Sequence, residues 1–527
     1  MPINSLVRAL LTDMYEITMA SAYFKSGRHN NKAAFDLFFR KNPFDGEFTI
    51  FAGLSEVIAF VRDFRFSDEE IEFVCSSALK CNSAFRDWLK NIDTSEVKIY
   101  ALTEGSVCFP RLPMIRVEGP LGICQLLEST LLNLVSFPSL IATNAARMRL
   151  AAGKDKKLIE FGLRRAQGPD GAISASRYSY LGGFDGTSNM LAGKLFNIPV
   201  SGTQAHAYIQ SFSNLDEARG IDFVDSSGQK QDLMKSVLEF RDKITNGNSN
   251  DGELASFVSY AAAFPDGFLA LVDTYDTLHS GIPNFLCVAL ALKKSGYEPV
   301  GIRLDSGDLA HLSKSVRKKF DDIAKKFNID LGDLKIVASN EINESTLASL
   351  ERQGHEIDIF GIGTHLVTCQ AQPSLGCVYK LVSVNDEPRI KLSQEAAKVT
   401  VPGRKKAYRL VGREGYPLAD VMLMPDENPP EKGKRFLCCH PFEKVKRTFV
   451  IPSEVQPLHR LYWDGRPAGT IPPLEQSRKY TRNQLETMRP DHLRFTNPTP
   501  YKVSLSDKMF SFMHELWSKE IPPGELD

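Results

Sequence analysis
The segment Gly301-Ile-Arg-Leu-Asp-Ser-Gly-Asp-Leu309 carries a guanidinium and carboxylates in a run that reads as the end of a β-strand. Residues two apart in a strand point to the same side, so Arg303 and Asp305 emerge together before Gly307 turns the chain. Arginine offers a planar fork to an anion, and a carboxylate takes sugar hydroxyls or a hydrated divalent cation. That pairing suits a phosphorylated sugar; it also reads as a structural ion pair at a strand–helix turn, with Asp308 capping the helix. Phe360-Gly-Ile-Gly-Thr364 offers backbone N–H groups at Gly361 and Gly363, the Thr364 hydroxyl and the start of a following helix. Those groups suit a phosphate, or else mark a tight turn between strand and helix. Glu160-Phe-Gly-Leu-Arg-Arg165 puts an aromatic face, a platform for a flat heteroaromatic ring, beside two arginines. Strand alternation sends Phe161 and Leu163 one way and Arg164 the other. His206, in Gly202-Thr-Gln-Ala-His206, reads as a phosphoryl acceptor, an acid–base group or an ordinary tip residue. Asp273, in Leu271-Val-Asp-Thr-Tyr-Asp276, reads as a ligand for a ribose hydroxyl or as a helix cap.

Several chemistries are excluded. No GxxxxGK[ST] occurs, so any ATP is not held by a P-loop. No HExxH or i, i+4 histidine pair supports a metal site of that kind. No strand ends in paired acids ahead of a Gly/Thr phosphate loop, and Asp321-Asp322 reads as solvated charge on a helix. Sixty-four basic residues balance 64 acidic ones, so no global field draws nucleic acid or an anionic membrane, and an anion must be gripped by a local cluster. Nine scattered cysteines without a CxxC read as reduced thiols in the cytosol. Asp13 and Glu16 interrupt the apolar start of the chain, so no signal peptide is expected, and no long apolar run suggests a membrane span.

The elements that position these groups repeat from about residue 130 to 385. Short β-branched runs end in polar or glycine-rich tips, each followed by a helical pattern. The tips are Glu160–Arg165, Val200–Thr203, Leu271–Tyr275, Gly301–Gly307, Ile336–Asn340 and Phe360–Thr364. Leu309, Leu312, Val316, Phe320, Ile323 and Phe327 draw one apolar helical stripe; Asn343 reads as the next N-cap and Gly354 as a stop. Six strand–tip–helix units imply an α/β fold with a parallel sheet, and an irregular α/β barrel is favoured because no Rossmann glycine fingerprint appears. At 527 residues the chain exceeds one core. The expected division is 1–130, a barrel core at 131–385, and 386–527, with the two flanks forming one discontinuous α+β domain.

In order along the chain, Leu10-Leu-Thr-Asp-Met-Tyr15, FGLRRAQGPDG, LGGFDGTSN, SGTQAH, LVDTYD, RLDSGDL, SNEIN, GIGTH, Lys391-Leu-Ser and Val401-Pro-Gly-Arg404 resemble the nicotinate phosphoribosyltransferase family, in its long animal-type form. Each motif alone is weak; so many in fixed order are specific. The resemblance implies a type II phosphoribosyltransferase that joins nicotinate to phosphoribosyl pyrophosphate (PRPP) with ATP and Mg²⁺ (or Mn²⁺). It also implies a homodimer with active sites at the interface, binding neither nucleic acid nor membrane. Tyr15 matches the tyrosine that reaches the nicotinate ring from the partner subunit, and Phe161 the ring-stacking aromatic. Thr203 and Arg303 match nicotinate contacts, and His206 the histidine phosphorylated by ATP. Arg164 and Asp305 match positions near the pyrophosphate and ribose. Gly363 and Thr364 match the 5′-phosphate loop, and Asp273, Ser339 and Asn340 fall with the ribose-phosphate contacts. Ala207 departs from the Ser or Glu frequent beside that histidine. Nicotinamide-using relatives carry an acid where this chain has Ser188; the neutral hydroxyl removes a charge that would repel a carboxylate, favouring the acid over the amide. The competing readings are a nicotinamide or quinolinate phosphoribosyltransferase and a non-catalytic nucleotide-binding barrel.

Overall fold
The computed structural model describes residues 4–245, 247–395 and 398–520. The chain divides into two compact units: Met1–Ala146 with Leu181–Gly183 and Ala371–Asp527, and Arg147–Tyr180 with Phe184–Gln370.

The central unit is built on a parallel six-stranded sheet. Its strands are β1 (Lys157–Glu160), β2 (Gly186–Thr187), β3 (Leu269–Leu271), β4 (Gly301–Leu304), β5 (Lys335–Ser339) and β6 (Ile359–Ile362), in spatial order β3-β4-β5-β6-β1-β2. Leu158, Ala270, Leu271, Ile302, Leu304, Ile336 and Ala338 are fully buried, as expected of strands covered on both faces. Because the strands are parallel, their carboxyl ends share one edge. The helix Leu309–Phe327 forms where the apolar stripe predicts: Asp308 accepts from His311 N at 3.0 Å as its cap, and Leu309, Val316 and Phe320 are buried. Asn343 caps Glu344–Gln353, and Gly354 ends that helix in the left-handed region (φ +66°).

One expectation about this sheet needs correction. The run expected as a strand ending in Val200–Thr203 contributes a single parallel bridge, Thr187 to Val200. The strand beside β1 is instead the two-residue β2, too short to show a period. The ladder therefore runs from β3 to Val200, and among the described residues no backbone pair joins those two ends.

The other unit holds two more six-stranded sheets. One orders Glu387–Pro388, Cys377–Val384, Lys32–Phe39, Ile115–Pro120, Lys98–Ala101 and Arg460–Asp464, all antiparallel. Residues from both ends of the chain thus share ladders: Arg460 pairs with Ala101, and Phe39 with Cys377. The second sheet buries Leu410, Val421, Leu423, Cys438 and Val450. The compact division falls at 146/147 and 370/371, not at 130/131 and 385/386. Cys377–Val384, counted at first with the centre, is an eight-residue partner of Lys32–Phe39. None of the nine cysteines is in a disulfide, and among the described residues no helix is long and apolar enough to cross a membrane.

Candidate active site
At the end of β1 the Phe161 N–H donates to Ile362 O at 2.8 Å, and the Phe161 ring lies against the Cα of Gly361. A Cβ at Gly361 would sit 2.3 Å from that ring. Gly361 therefore makes room for an aromatic, a packing reason beyond the anion contact expected of it. The ring itself is half-buried. β1 stops at Glu160, and Leu163–Arg165 form a 3₁₀ turn, so the strand alternation expected for Leu163 and Arg164 does not apply; both are exposed. Ser188, just past β2, is half-buried and donates its N–H to Glu160 O at 2.9 Å. A Cβ on Gly202 would lie 4.0 Å from the Ser188 Cβ, so the Ser201–Thr203 turn runs alongside.

The ends of β3, β4 and β5 are joined through two carboxylates, Asp273 and Asp305. Asp273 accepts from Asp305 N at 2.8 Å and from Ser306 Oγ at 2.6 Å, and Ser339 Oγ donates to Asp305 Oδ1 at 2.6 Å. The cap of the next helical turn is Asp276, which accepts from the N–H groups of Leu278 and His279. Asp273 instead clasps two strand ends, and its Oδ1 is buried with no hydrogen-bond partner among the described residues. Arg303 donates to Gln204 O at 2.8 Å and to Thr203 Oγ1 at 3.4 Å, while its Nε is buried and has no partner among the described residues. Burial pulls its pKa below the ordinary arginine value; Asp305 and Asp273 push it back up, and the nearby Arg164 charge lowers it. His206 opens the short helix His206–Gln210. Its Nδ1 lies 3.0 Å from Thr274 Oγ1 and its Nε2 3.7 Å from Asp305 Oδ2.

Phe161, Ser188, Thr203, His206, Asp273, Arg303, Asp305 and Ser339 thus stand on the carboxyl edge of one sheet, linked by contacts between neighbouring tips. Asn340 is exposed just beyond β5, and the backbone there is strained, with Asn340 at φ +150° and Glu341 at +49°. Gly363 and Thr364 follow β6, whose register pairs Ile362 with Glu160. The helix after them is one turn, Thr364–Val367, so the dipole expected to assist a phosphate is small. Tyr15 belongs to the other unit, on the helix Met14–Lys25, where it is 44% exposed. Three participants escaped the sequence reading. Glu160 is a buried hydrogen-bond hub, and Thr274 is the partner of His206. Gln204 has a buried amide whose two polar atoms have no partner among the described residues. The signals were present only as an acid before the aromatic, a Thr after Asp273 and an amide between Thr203 and His206.

Family models described as the nicotinate phosphoribosyltransferase N-terminal domain, family and C-terminal domain match residues 10–136, 294–414 and 404–513. A nicotinate phosphoribosyltransferase of Dictyostelium discoideum is 54% identical over 536 residues, covering 100% of this chain and 91% of that one. The human protein of that name is 44% identical, covering 98% of each. The crystal structure of human nicotinic acid phosphoribosyltransferase superposes with a TM-score of 0.87 at 42% identity, over 96% of this chain and 100% of that one. A nicotinate-nucleotide pyrophosphorylase from Pyrococcus furiosus gives 0.60 at 21% identity, a likeness of fold.

Proposed function
Because the chain belongs to the nicotinate phosphoribosyltransferase family, an enzyme family of NAD biosynthesis from nicotinate, we propose that the carboxyl edge of β1–β6 is where nicotinate meets PRPP. Arg303 carries this reading. It is a cation set between two strand tips, with a buried Nε that has no partner among the described residues, and a carboxylate ligand completes its hydrogen bonding. Nicotinate lies on the Phe161 ring with its carboxylate toward Arg303 and the Thr203 hydroxyl. Ser188 leaves that end of the site without a repelling charge. Asp305 and Ser339 receive the ribose, with Asn340 beside them, while Gly363 and Thr364 receive the 5′-phosphate and Arg164 the pyrophosphate.

In this reading the pyridine nitrogen bonds to ribose C1 as the C1–O bond to pyrophosphate breaks, and positive charge develops on the sugar. The protein's part is to hold ring and sugar in line and to match charge. Asp305 and Asp273 fit a divalent cation, since Asp273 Oδ1 is buried without a partner and Mg²⁺ is commonly held by one or two carboxylates plus substrate phosphates. When bound, Mg²⁺ (or Mn²⁺) neutralises charge on the leaving pyrophosphate. With Nδ1–H donating to Thr274, His206 keeps a lone pair on Nε2. That atom attacks the terminal phosphorus of ATP and releases ADP; water later cleaves the phosphohistidine to phosphate. The enzyme works as a homodimer in the cytosol, where nine unbridged thiols are stable, with Tyr15 of a second copy completing the ring site. The test measures pyrophosphate release from PRPP and ATP with nicotinate, nicotinamide or quinolinate. Nicotinate is expected to be preferred, and preference for the amide would overturn the role given to Ser188.

A further inference from the structure
We infer that Glu160 is a positioning residue for the pyridine ring: its buried carboxylate ties the Phe161 tip and the Ser188 tip into one frame. This rests on the assignment of Phe161 and Ser188 to nicotinate. Glu160 is 1% exposed at the end of β1, in register with Ile362 on one side and Thr187 on the other. Its side chain accepts from the N–H of Gly162, from Ser176 Oγ at 2.8 Å and from Thr187 Oγ1 at 2.5 Å. Its main-chain oxygen accepts the Ser188 N–H at 2.9 Å. Among the described residues no Lys or Arg forms an ion pair with it. A carboxylate taken out of water without a cation is costly, and these donors are what hold it there.

Each donor belongs to a segment that shapes the ring site. Gly162 follows Phe161 and is wedged between the Val367 side chain and the carboxylate: a Cβ there would meet Val367 Cγ1 at 2.2 Å and Glu160 Oε1 at 2.9 Å. With Gly162 fixed on one side and Phe161 N–H bound to Ile362 O on the other, the aromatic is set against Gly361. Thr187 precedes Ser188, and its hydroxyl also accepts from Asn189 N at 2.9 Å. Asn189 in turn donates to Ser176 Oγ at 3.2 Å and caps the helix Met190–Phe196. One acid therefore sets the distance between the platform and the residue that sorts acid from amide. All three donors give hydrogens, and a carboxylate accepts them all. A glutamine can keep Gly162 through its oxygen while the two hydroxyls turn to accept from its amide.

Steady-state kinetics on the full chain separate this role from a merely structural one. Glu160→Ala is expected to raise the KM for nicotinate about tenfold or more while moving the KM for PRPP by no more than about twofold. Glu160→Gln should recover most of that loss, and Thr187→Val, which deletes one donor at constant shape, should raise nicotinate KM about threefold. Equal rises in both KM values, a fall in kcat at unchanged nicotinate KM, or a Gln variant as impaired as Ala overturns the inference. Should Glu160→Ala fail to fold, Thr187→Val decides alone, and an unchanged nicotinate KM overturns it. Phe161→Ala is run alongside. If it leaves nicotinate KM unchanged, the ring-site assignment itself is wrong; if only Phe161→Ala shifts it, the assignment stands and the role of Glu160 falls.

Discussion
Two arginines, one in each compact unit, show how this chain separates scaffold from site. Arg409 grips Asp420 with two hydrogen bonds of 2.8 Å, and its Nη2 also reaches Val107 O at 2.9 Å. Tyr501 donates to the same aspartate at 3.0 Å. Burial works against the Arg409 charge, yet Asp420 more than offsets it and holds the guanidinium above its ordinary pKa. Among the described residues Arg303 has no carboxylate in hydrogen-bond contact and keeps a buried nitrogen without a partner, and burial holds its pKa below the ordinary value. The saturated pair has its hydrogen bonds met within the fold, whereas in the proposed reading the unsaturated cation is completed by the nicotinate carboxylate.

The contrast can be broken from the scaffold side first. Asp420→Ala strands a buried cation and is expected to cost about 3–5 kcal/mol of stability, measured by denaturant unfolding, whatever the activity of the fraction that folds. Arg303→Ala should do the reverse: kcat/KM for nicotinate falls about a hundredfold while the unfolding midpoint moves far less than for Asp420→Ala. Comparable destabilisation by the two variants would erase the distinction.

Glu253 sharpens the comparison, because it is another unsaturated charged group in the central unit. It is fully buried, accepts from Ser280 Oγ at 2.6 Å and Asn284 Nδ2 at 2.9 Å, and keeps Oε1 without a partner among the described residues. Burial pushes its pKa up from 4.5 to about 7. The folded state then binds the proton more tightly than the unfolded chain does. Its contribution is fully present below about pH 4.5 and is lost as pH rises through about 7, amounting to at most about 3 kcal/mol. Wild type should lose stability between pH 5 and 8 relative to Glu253→Gln, which mimics the protonated acid; parallel stability profiles would refute this. The smallest effect is expected at Thr274. His206→Ala should abolish stimulation by ATP while leaving slow turnover without it. Thr274→Val, which removes only the hydroxyl beside Nδ1, should lower the stimulation about threefold. Normal ATP stimulation of His206→Ala would dismiss the phosphohistidine.

Much of this was legible in the residues. The stripe Leu309–Phe327, the caps Asp308 and Asn343 and the stop at Gly354 are local, because 3.6-residue periodicity and side-chain capping act within a few positions. Chemistry-bearing tips followed from types and spacing, and their order carried the family. Less was legible where meaning depends on a distant partner. Asp273 read as a ribose ligand or a helix cap, and what no local signal announced is its clasp on residues 32 and 33 positions away. Cys377–Val384 read as central, yet its ladder lies with Lys32–Phe39. Leu163 and Arg164 read as continuing a strand alternation, yet β1 stops at Glu160 and both lie in a 3₁₀ turn.

The amino-acid sequence by itself determined which groups are available and where helices start and stop, since those follow from neighbours along the chain. Tertiary structure alone decided that a two-residue strand stands beside β1, that Glu160 gathers donors from Gly162, Ser176 and Thr187, and that Thr274 faces His206. Hydrogen bonding across strands is a property of which segments lie side by side, and no local period encodes it.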